Sequence, residues 1–258
     1  MNQHASGENC LSDLAAETLR ICCKAREGHI PSALSVLDVL HTLYTERYEQ
    51  IASGEDLFLL SKGHASIALY VTLAHMRLMP LEALNTFAEH KSILGGHPDR
   101  TKNQYITAST GSLGHGLPIS VGIALGQKIS GTKGRVFCLV GDGELNEGSN
   151  WEAMLVANHH NLLSLTLIVD SNTSSNRALD MGNISTKLTA FGFDVVSVDG
   201  HDAAALATVL NKTNTTQPNA ILANTIKGYR VKSMENNPAW HHAYPDEIEL
   251  ARMIEAIS

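Results

Sequence analysis

Two apolar segments that each end in an oxygen-bearing side chain constrain this sequence more than any other feature. The strand-like run Arg135–Val140 leads into Gly141-Asp142-Gly143, and the run Leu165–Val169 leads into Asp170-Ser171-Asn172. Asn172 follows Asp142 by 30 positions (172 − 142), with one predicted helix between the two strands. Strands joined in this way run parallel, so their carboxyl ends meet at one edge of a sheet. We therefore expect the side-chain oxygens of Asp142 and Asn172 to lie close together.

Strand and helix patterns alternate along most of the chain. Apolar residues at helical spacing predict two opening helices with a break around 28–31, and further helices over about 65–78, 113–129, 147–160, 185–191, 203–210 and 246–257. Short apolar runs predict strands over 56–60, 135–140, 165–169, 194–198 and 219–224, and 90–110 is predicted to be a loop. This order predicts an α/β fold, with a doubly wound, mostly parallel sheet and helices on both faces. No repeat, low-complexity segment or linker interrupts it, so we expect one domain over 1–258.

Charge and hydropathy exclude several classes of protein. The net charge is −7 without a basic stripe, which argues against nucleic acid or an anionic membrane as a partner. No apolar run approaches the about 18 residues that span a bilayer. The segment Met1–Asn9 is polar and lacks the apolar core of a signal peptide. We therefore expect a cytoplasmic protein.

The four cysteines, Cys10, Cys22, Cys23 and Cys138, show no C-x-x-C pair. Cys138 lies inside a predicted buried strand. In a cytoplasmic chain, this usage favours reduced thiols in the core over a disulfide or a metal site.

The residue types around Gly141-Asp142-Gly143 suit a divalent cation that carries a diphosphate. Mg²⁺ takes six oxygen ligands, usually one or two protein carboxylates together with substrate phosphates and water. Asp142 offers a carboxylate, Asn172 an uncharged amide oxygen, and the turn after Asn172 a backbone carbonyl. Gly143 opens the path to the amino end of the next helix, where backbone amides favour phosphate. An ordinary Asp-Gly turn is the plain alternative. A dinucleotide site is disfavoured because no Gly-x-Gly-x-x-Gly opens a helix after a strand.

These motifs resemble those of thiamine diphosphate enzymes, which run from Gly-Asp-Gly to Asn across about thirty residues. The resemblance is to transketolase, and within it to the N-terminal, diphosphate-binding subunit of split, two-component transketolases. It extends from about residue 10 to 245. The stretches that carry it are Leu60–Ser66, Gly95–Pro98, Thr110–Gly116, Gly141–Gly148, Val198–Asp202 and Met234–His241. The resemblance implies the thiamine diphosphate-binding fold of the PP type.

The resemblance also implies a set of site residues and cofactors. Thiamine diphosphate with Mg²⁺ (or Ca²⁺) would bind here, and the metal ligands would be Asp142, Asn172 and the backbone carbonyl of Ser174, where the family usually has an aliphatic residue. The cofactor contacts would be His64, Gly111, Ser112, Leu113, Gly143, Glu144, Asn172 and His241.

Histidines are numerous, and the resemblance assigns a role to a few of the 13. A transketolase moves a two-carbon ketol unit from a ketose to an aldose, with the cofactor as electron sink, so protons must move near neutral pH. The resemblance implies catalytic roles for His29, His97 and His241. His115 is a cofactor-pocket candidate, and for His201 a structural role is at least as well supported as a catalytic one. Surface or helix positions are expected for His4, His41, His75, His90, His159, His160 and His242.

One loop departs from the family pattern. The family often has Gly-His-Pro-Gly where this chain has Gly28-His29-Ile30-Pro31, so the proline has moved by one place. Proline fixes its own φ and restricts the residue before it. We expect a different loop beside the donor sugar at this point.

The resemblance implies a partner chain, because full-length transketolases continue with a pyrimidine-binding domain that supplies an activating glutamate. We expect a heterotetramer with two copies of each chain. Glu147 matches a glutamate near the family's subunit interface, although an ordinary acid at a helix start explains it equally well. The small-residue helix over 113–129 is a candidate interface element, and burial within its own domain is the alternative.

Two other functions stay open at this point. The α subunit of a 2-oxo acid dehydrogenase shares the cofactor motif, and a non-catalytic cofactor-binding scaffold would need the same residues. The histidine set and the Met234–His241 segment favour transketolase. The substrate expected is a sugar or sugar phosphate, and its identity is not specified by the sequence.

Overall fold

A parallel sheet forms the centre of the computed structural model, which describes residues 7–213 and 215–257. The strands are β1 (Leu57–Leu60), β2 (Val136–Gly141), β3 (Leu165–Ser171), β4 (Asp194–Asp199) and β5 (Asn219–Asn224). Within the described residues they form one five-stranded sheet in the order β1-β2-β3-β5-β4, and all neighbouring pairs are parallel. Residues 1–6, 214 and 258, including His4, lie outside the described part of the chain.

Helices cover the sheet on both faces. They are α1 (Gly7–Ala25), α2 (Ile30–Leu34), α3 (Leu37–Glu46), α4 (Tyr48–Ala52), α5 (Ser66–His75), α6 (Gly116–Ser130), α7 (Gly148–His159), α8 (Ile184–Ala190), α9 (Ala203–Asn211) and α10 (Glu247–Ile257). Alternate residues of β2 point to opposite faces, as the pleat requires. Phe137 and Leu139 join the apolar cluster of α1, α3, α5 and α9, whereas Val136, Cys138 and Val140 join that of α6, α7 and α8. The predicted α/β class and doubly wound sheet are confirmed.

The opening helices differ from the prediction. The predicted break ran from 28 to 31, but Pro31 lies in the first turn of α2, and α3 follows only after Val36. Proline is accepted in a first turn because its missing amide hydrogen has no partner there anyway. The expected second helix is therefore divided in two.

The small-residue helix also begins later than predicted. The pattern suggested a start at Leu113, but α6 begins at Gly116 because Gly114 has a φ of 81°. That left-handed value is incompatible with a helix and is readily adopted only by glycine. The predicted loop over 90–110 contains no helix or strand.

Parallel pairing brings the carboxyl ends of the strands together at one edge. In the register of the sheet, Gly141 faces Asp170, and Asn224 faces both Ser171 and Asp199. The residues that follow β1, β2, β3 and β5 therefore converge. Among the described residues, no helix combines the length and the apolar character needed to cross a bilayer.

Candidate active site

Asp142 and the loop after β3 are joined directly at this edge. The Asp142 carboxylate accepts hydrogen bonds from the backbone amides of Gly143, at 2.7 Å, and Thr173, at 2.6 Å. Thr173 has a φ of 58°, which turns its amide back toward β2. Asn172, the residue before it, is 5% exposed, and its amide oxygen accepts from the Ser174 amide at 3.1 Å. The structure thus brings the two predicted metal ligands to adjoining positions.

A buried ion pair lies beneath these ligands. Lys62, which follows β1, donates to the carboxylate of Asp170, and both side chains are almost completely buried. Asp170 also accepts from the hydroxyls of Ser35 and Thr225 and from the Asn172 amide at 2.9 Å. Burial opposes ionisation of Asp170, but the Lys62 charge and these donors hold its pKa below the usual value. This charged network fixes the orientation of the Asn172 amide.

The electrostatics of Asp142 favour a cation. Burial and the nearby negative charge of Asp170 raise the pKa of Asp142, although the Gly143 and Thr173 amides act in the opposite direction. A divalent cation at this carboxylate would offset the cost of burying its charge.

Glu144 connects three loops of the site. Its buried carboxylate accepts from the Ser61 hydroxyl at 2.5 Å, the Gly114 amide at 2.9 Å and the Gly141 amide at 3.3 Å. The Ser61 hydroxyl in turn accepts from the Gly116 amide at 3.1 Å. In this arrangement Glu144 orients the loops, and its direct contact with a cofactor stays a prediction.

Four histidines from three segments form a cluster, and one of them, His241, lines the same cavity as Asn172. The His29 ring lies with its centroid 5.3 Å from those of His64 and His241 and 4.5 Å from that of His242. His29 has a φ of 62°, and its amide donates to the His241 carbonyl at 3.1 Å, which holds the first loop against the late segment. His97 contributes from a fourth segment, since its charge acts on His29. All four predicted catalytic or cofactor histidines, His29, His64, His97 and His241, are therefore grouped together.

Three imidazoles of this cluster, those of His29, His64 and His241, are held neutral. Burial, followed by the charges of His242 and His241, lowers the pKa of His29 to about 4. Burial and the charge of Lys62 lower the pKa of His64 further, to about 2. Burial and Lys227 lower the pKa of His241 as well. Neutral imidazole can accept a hydrogen bond or a proton at one ring nitrogen.

A cationic cavity adjoins the histidines. It has a volume of about 170 Å³, and its lining residues include Asn172, Ser174, Arg177, Lys227 and His241. The Lys227 ammonium donates to the Ser174 hydroxyl at 3.3 Å and lies 3.4 Å from Nδ1 of His241. Burial and the charge of Lys62 lower the pKa of Lys227. This concentration of cationic side chains is suited to an anion.

The remaining predicted residues lie in the surrounding loops. Gly111 packs against Gly63 so closely that a Cβ on Gly63 would lie 2.9 Å from the Gly111 nitrogen. Ser112 and Leu113 follow on that loop, and exposed His115 immediately precedes α6. Gly143 starts the 3₁₀ turn after β2. The structure leaves their contacts with a ligand as predictions.

The sequence left two alternative roles open for each of two residues, His201 and Glu147. His201 stacks on Tyr229 at 3.6 Å and accepts from the Ile226 amide at 2.9 Å, which supports a structural role. Glu147 is exposed and immediately precedes α7, without a side-chain cap hydrogen bond. Its interface role stays a prediction.

Sequence reasoning missed four residues that the structure places in or directly below the site: Lys62, Asp170, Lys227 and His242. Lys62 and Asp170 each lie two positions before a predicted site residue, His64 and Asn172. The signal in the sequence was a charged residue at the end of a predicted buried strand. Lys227 follows β5, so the rule that predicted Asp142 also applied to it. His242 was predicted to be a surface residue, and its place in the cluster depends on the contact between distant loops.

A comparison with protein families settles what kind of domain carries this site. The model of the family described as "Transketolase, thiamine diphosphate binding domain" matches residues 8–257. This chain belongs to the transketolase family. Its match covers nearly the whole sequence, and the family and cofactor class inferred from the motifs are confirmed.

Individual relatives agree with that assignment. An apulose-4-phosphate transketolase subunit of Actinobacillus succinogenes is 36% identical over 237 residues, which cover 87% of this chain and 86% of that protein. The subunit of the same name from Phocaeicola vulgatus is 32% identical over 252 residues, covering 93% and 89%. Both relatives are named as subunits, and this chain matches most of their length.

A solved transketolase shows the same fold in a longer chain. The transketolase from Campylobacter jejuni superposes with a TM-score of 0.84 and 28% identity over 97% of this chain. The match covers 42% of that protein. In extent, this chain therefore corresponds to the thiamine diphosphate-binding part of a transketolase.

The residues at the strand ends fit thiamine diphosphate with a divalent cation. Asp142 and Asn172 supply the oxygen donors that a hard cation prefers, and Lys227 with Arg177 supplies positive charge for a diphosphate. Gly63 is buried, and its close approach to Gly111 leaves no room for a side chain between these two loops.

Proposed function

We propose that this chain and a partner subunit together form a transketolase that transfers a two-carbon ketol unit from a ketose to an aldose. The observation that carries the proposal is the grouping of neutral histidines beside the Asp142–Asn172 ligand pair at the carboxyl edge of the sheet. Thiamine diphosphate, when bound, supplies the electron sink for breaking and forming a carbon–carbon bond.

The histidines of this chain would handle protons and sugar hydroxyls. His29, His97 and His241 are proposed to contact the substrate, and His64 the cofactor. Because burial keeps His29 and His241 neutral, each ring can accept a proton from a hydroxyl near neutral pH. His242 closes the cluster on one side and limits the space left for a substrate next to His29.

The metal site is proposed to hold Mg²⁺ or Ca²⁺. Asp142, the Asn172 amide oxygen and the Ser174 carbonyl would be the protein ligands. The hydrogen bond from the Thr173 amide to Asp142 fixes the loop that carries Ser174 against the end of β2. Because a backbone oxygen is the ligand, the serine side chain at this position is compatible with binding.

A partner chain with the pyrimidine domain is proposed to complete the cofactor site. Glu144 is the buried glutamate of the site, and its carboxylate is already occupied by Ser61, Gly114 and Gly141. It is therefore unsuited to activating a pyrimidine ring, and the activating glutamate is assigned to the partner. An α2β2 heterotetramer and a cytoplasmic location complete this proposal.

The substrate class is proposed to be a sugar or sugar phosphate. The relatives from Actinobacillus succinogenes and Phocaeicola vulgatus are named for apulose-4-phosphate, which makes this ketose phosphate a donor to include in a screen. The displaced proline of the first loop supports a donor site that differs from the common pattern.

The test is reconstitution with a candidate partner. The chain is co-expressed with a protein that carries the pyrimidine domain, and the purified pair is supplied with thiamine diphosphate, Mg²⁺, a panel of ketose phosphates and aldose acceptors. Formation of a ketose lengthened by two carbons, detected by mass spectrometry, is the expected result. His29→Asn should abolish it, whereas His90→Gln, at an exposed position with no contact to the histidine cluster among the described interactions, should leave it unchanged.

The same pair separates the alternatives. Oxidation of a 2-oxo acid with an artificial electron acceptor, without ketol transfer, would indicate a dehydrogenase subunit. Tight binding of thiamine diphosphate without either reaction would indicate a scaffold. Failure of the pair to bind thiamine diphosphate at any concentration of Mg²⁺ or Ca²⁺ would refute the proposal.

A further inference from the structure

A second group of potential ligands lies away from the carboxyl edge of the sheet, among the helices of one face. Cys10 comes from α1, His41 from α3 and His75 from α5. The Cys10 Sγ lies 3.4 Å from Nε2 of His41 and 3.1 Å from Nε2 of His75. The three donor atoms all lie within 4.8 Å of one another. Nothing in the proposed transketolase reaction uses these residues.

The separation of these atoms corresponds to a shared metal ion. In zinc sites the Zn–S distance is about 2.3 Å and the Zn–N distance about 2.0–2.1 Å, so tetrahedral geometry places sulfur and nitrogen about 3.5 Å apart. The observed values of 3.4 and 3.1 Å are close to this separation. Both imidazoles direct the same ring nitrogen, Nε2, at one sulfur. To admit the ion, the shorter contact, between Cys10 and His75 at 3.1 Å, would have to open to about 3.5 Å.

The surroundings also favour a cation. His75 is the last residue of the ten-residue α5, where the helix dipole places partial negative charge. Leu14 of α1, Leu40 of α3 and Leu73 of α5 lie in the same apolar cluster, so the backbones that carry the three donors are fixed by packing. Cys10 itself is only 9% exposed. A rigid, partly desolvated set of one thiol and two imidazoles is a combination that zinc prefers.

We propose that Cys10, His41 and His75 bind one Zn²⁺, with water as the fourth ligand, and that this ion fastens α1 to α3 and α5. Binding releases the thiol proton of Cys10 to solvent, and no oxidation or reduction occurs. The site is structural and independent of thiamine diphosphate. It revises the expectation that Cys10 is a plain core thiol and that His41 and His75 have no role.

The site has no signal in the sequence. His41 is separated from Cys10 by 31 positions, and His75 from Cys10 by 65. These spacings are far from the short Cys-x-x-Cys or His-x₃-His patterns by which zinc sites are found. Packing of the three helices alone brings the residues together.

The experiment uses the full-length chain, reduced and freed of metal, and titrates it with Co²⁺ as a spectroscopic substitute for Zn²⁺. We expect a sulfur-to-cobalt charge-transfer band in the near ultraviolet, together with the intense visible bands of four-coordinate Co²⁺. The bands should saturate at one ion per chain and disappear when Zn²⁺ displaces Co²⁺.

Variants test whether the charge-transfer band arises from Co²⁺ bound by Cys10, His41 and His75. Cys10→Ser should abolish the charge-transfer band, and His41→Gln or His75→Gln should weaken Zn²⁺ binding by about 100-fold or more, because even outer-shell partners are worth about 10- to 100-fold. Cys23→Ser is the matched control, since the Cys23 thiol donates to the Pro245 carbonyl and has no part in the cluster.

A second control addresses the other group that could hold a metal. The donor atoms of His29, His241 and His242 also lie within 4.8 Å of one another. That group has no sulfur, so Co²⁺ bound there gives no charge-transfer band, and His242→Gln should leave the band unchanged. Circular dichroism of each metal-free variant shows whether it is folded.

X-ray absorption at the zinc edge of the wild-type chain provides a measurement that needs no variant. One sulfur at about 2.3 Å and nitrogen at about 2.0 Å is the expected first shell. A first shell without sulfur, the absence of a charge-transfer band in the wild type, or its persistence in Cys10→Ser would overturn the proposal.

Discussion

Single side chains at the strand ends set the charge of the proposed metal site. Asp142 is 4% exposed and accepts two backbone amides, and its carboxylate still faces the loop that carries Asn172 and Ser174. For cation binding, the negative charge of the Asp142 carboxylate matters more than the shape of the side chain, because a hard divalent cation needs at least one anionic protein ligand beside the phosphates.

Replacing that charge gives the first prediction. Asp142→Asn keeps the size of the side chain and removes the anionic ligand, so we expect the affinity for thiamine diphosphate in the presence of Mg²⁺ to fall by about 100-fold or more. Isothermal titration calorimetry on the reconstituted pair measures it. Glu17→Gln, which changes an exposed carboxylate on α1, should bind as the wild type does. Equal affinity in Asp142→Asn would exclude this carboxylate as a ligand.

Strand ends are coupled to one another by the buried pair of Lys62 and Asp170. Lys62 follows β1 and Asp170 belongs to β3, although β2 lies between the two strands in the sheet. The pair therefore fixes the loop after β1 relative to the loop after β3. Removing one member of a buried ion pair is costly because the other charge stays desolvated.

This coupling gives the second prediction. Lys62→Met should lower the free energy of unfolding by about 3–5 kcal/mol, since Asp170 remains buried and loses its counter-ion. The double variant Lys62→Met/Asp170→Asn should recover part of this loss, because no unpaired charge remains. Urea unfolding measures both. For the exposed pair of Lys232 and Glu235, Lys232→Met should change the stability by less than about 1 kcal/mol.

The segment before α6 depends on glycine at one position. Gly114 has a φ of 81°, and a Cβ there would lie 2.6 Å from both the Cβ of Glu147 and the hydroxyl of Ser149. The Ser149 hydroxyl donates to the Gly114 carbonyl at 2.6 Å, which joins this turn to α7. A side chain at this position would disturb both elements.

The third prediction compares two glycines of this region. Gly114→Ala should destabilise the chain by about 2 kcal/mol, through backbone strain and the displacement of α7. Gly122→Ala, in the middle of α6 with no atom beyond the helix's own neighbouring backbone within 4 Å of the new Cβ, should stabilise it by about 0.5–1 kcal/mol. Thermal unfolding of the two variants measures the difference, and the same sign for both would contradict the assignment.

The molecule as a whole concentrates neutral histidines at one place while its net charge is −7. The pKa of His29 is lowered to about 4 and that of His64 to about 2, whereas a histidine in the unfolded chain has a pKa of about 6.5. Below pH 6.5 the unfolded chain therefore binds protons that the folded chain does not, and stability falls as the pH falls.

The fourth prediction follows from this sign. Between pH 6.5 and 4, the free energy of unfolding should decrease by at most about 1.4 kcal/mol per pH unit for each neutral histidine, and by less where water screens the ring. His64→Gln should flatten the decline, whereas His90→Gln should not. Urea unfolding at several pH values checks it. A slope unchanged in His64→Gln would show that this ring contributes nothing to the acid sensitivity.

Much of this protein was predictable from local patterns. Short apolar runs identified all five strands of the described sheet, and the Gly-Asp-Gly and Asn motifs identified Asp142 and Asn172 as residues that meet at adjoining strand ends. These predictions succeeded because a strand end and its following turn are encoded by neighbouring residues. The extents of α2 and α6 were mispredicted because Pro31 and Gly114 act through precise backbone angles rather than through periodicity.

Other properties depend on contacts between residues far apart in the sequence. The placement of Asp142 and Asn172 at adjoining strand ends, the parallel sheet and the family follow from the sequence alone, since each rests on a short motif or a repeated spacing. The pairing of Lys62 with Asp170, the entry of His242 into the histidine cluster, and the convergence of Cys10 with His41 and His75 were decided by the tertiary structure. Burial and distance belong to the packed molecule, and those two quantities set the charge state and the ligand geometry of every such group.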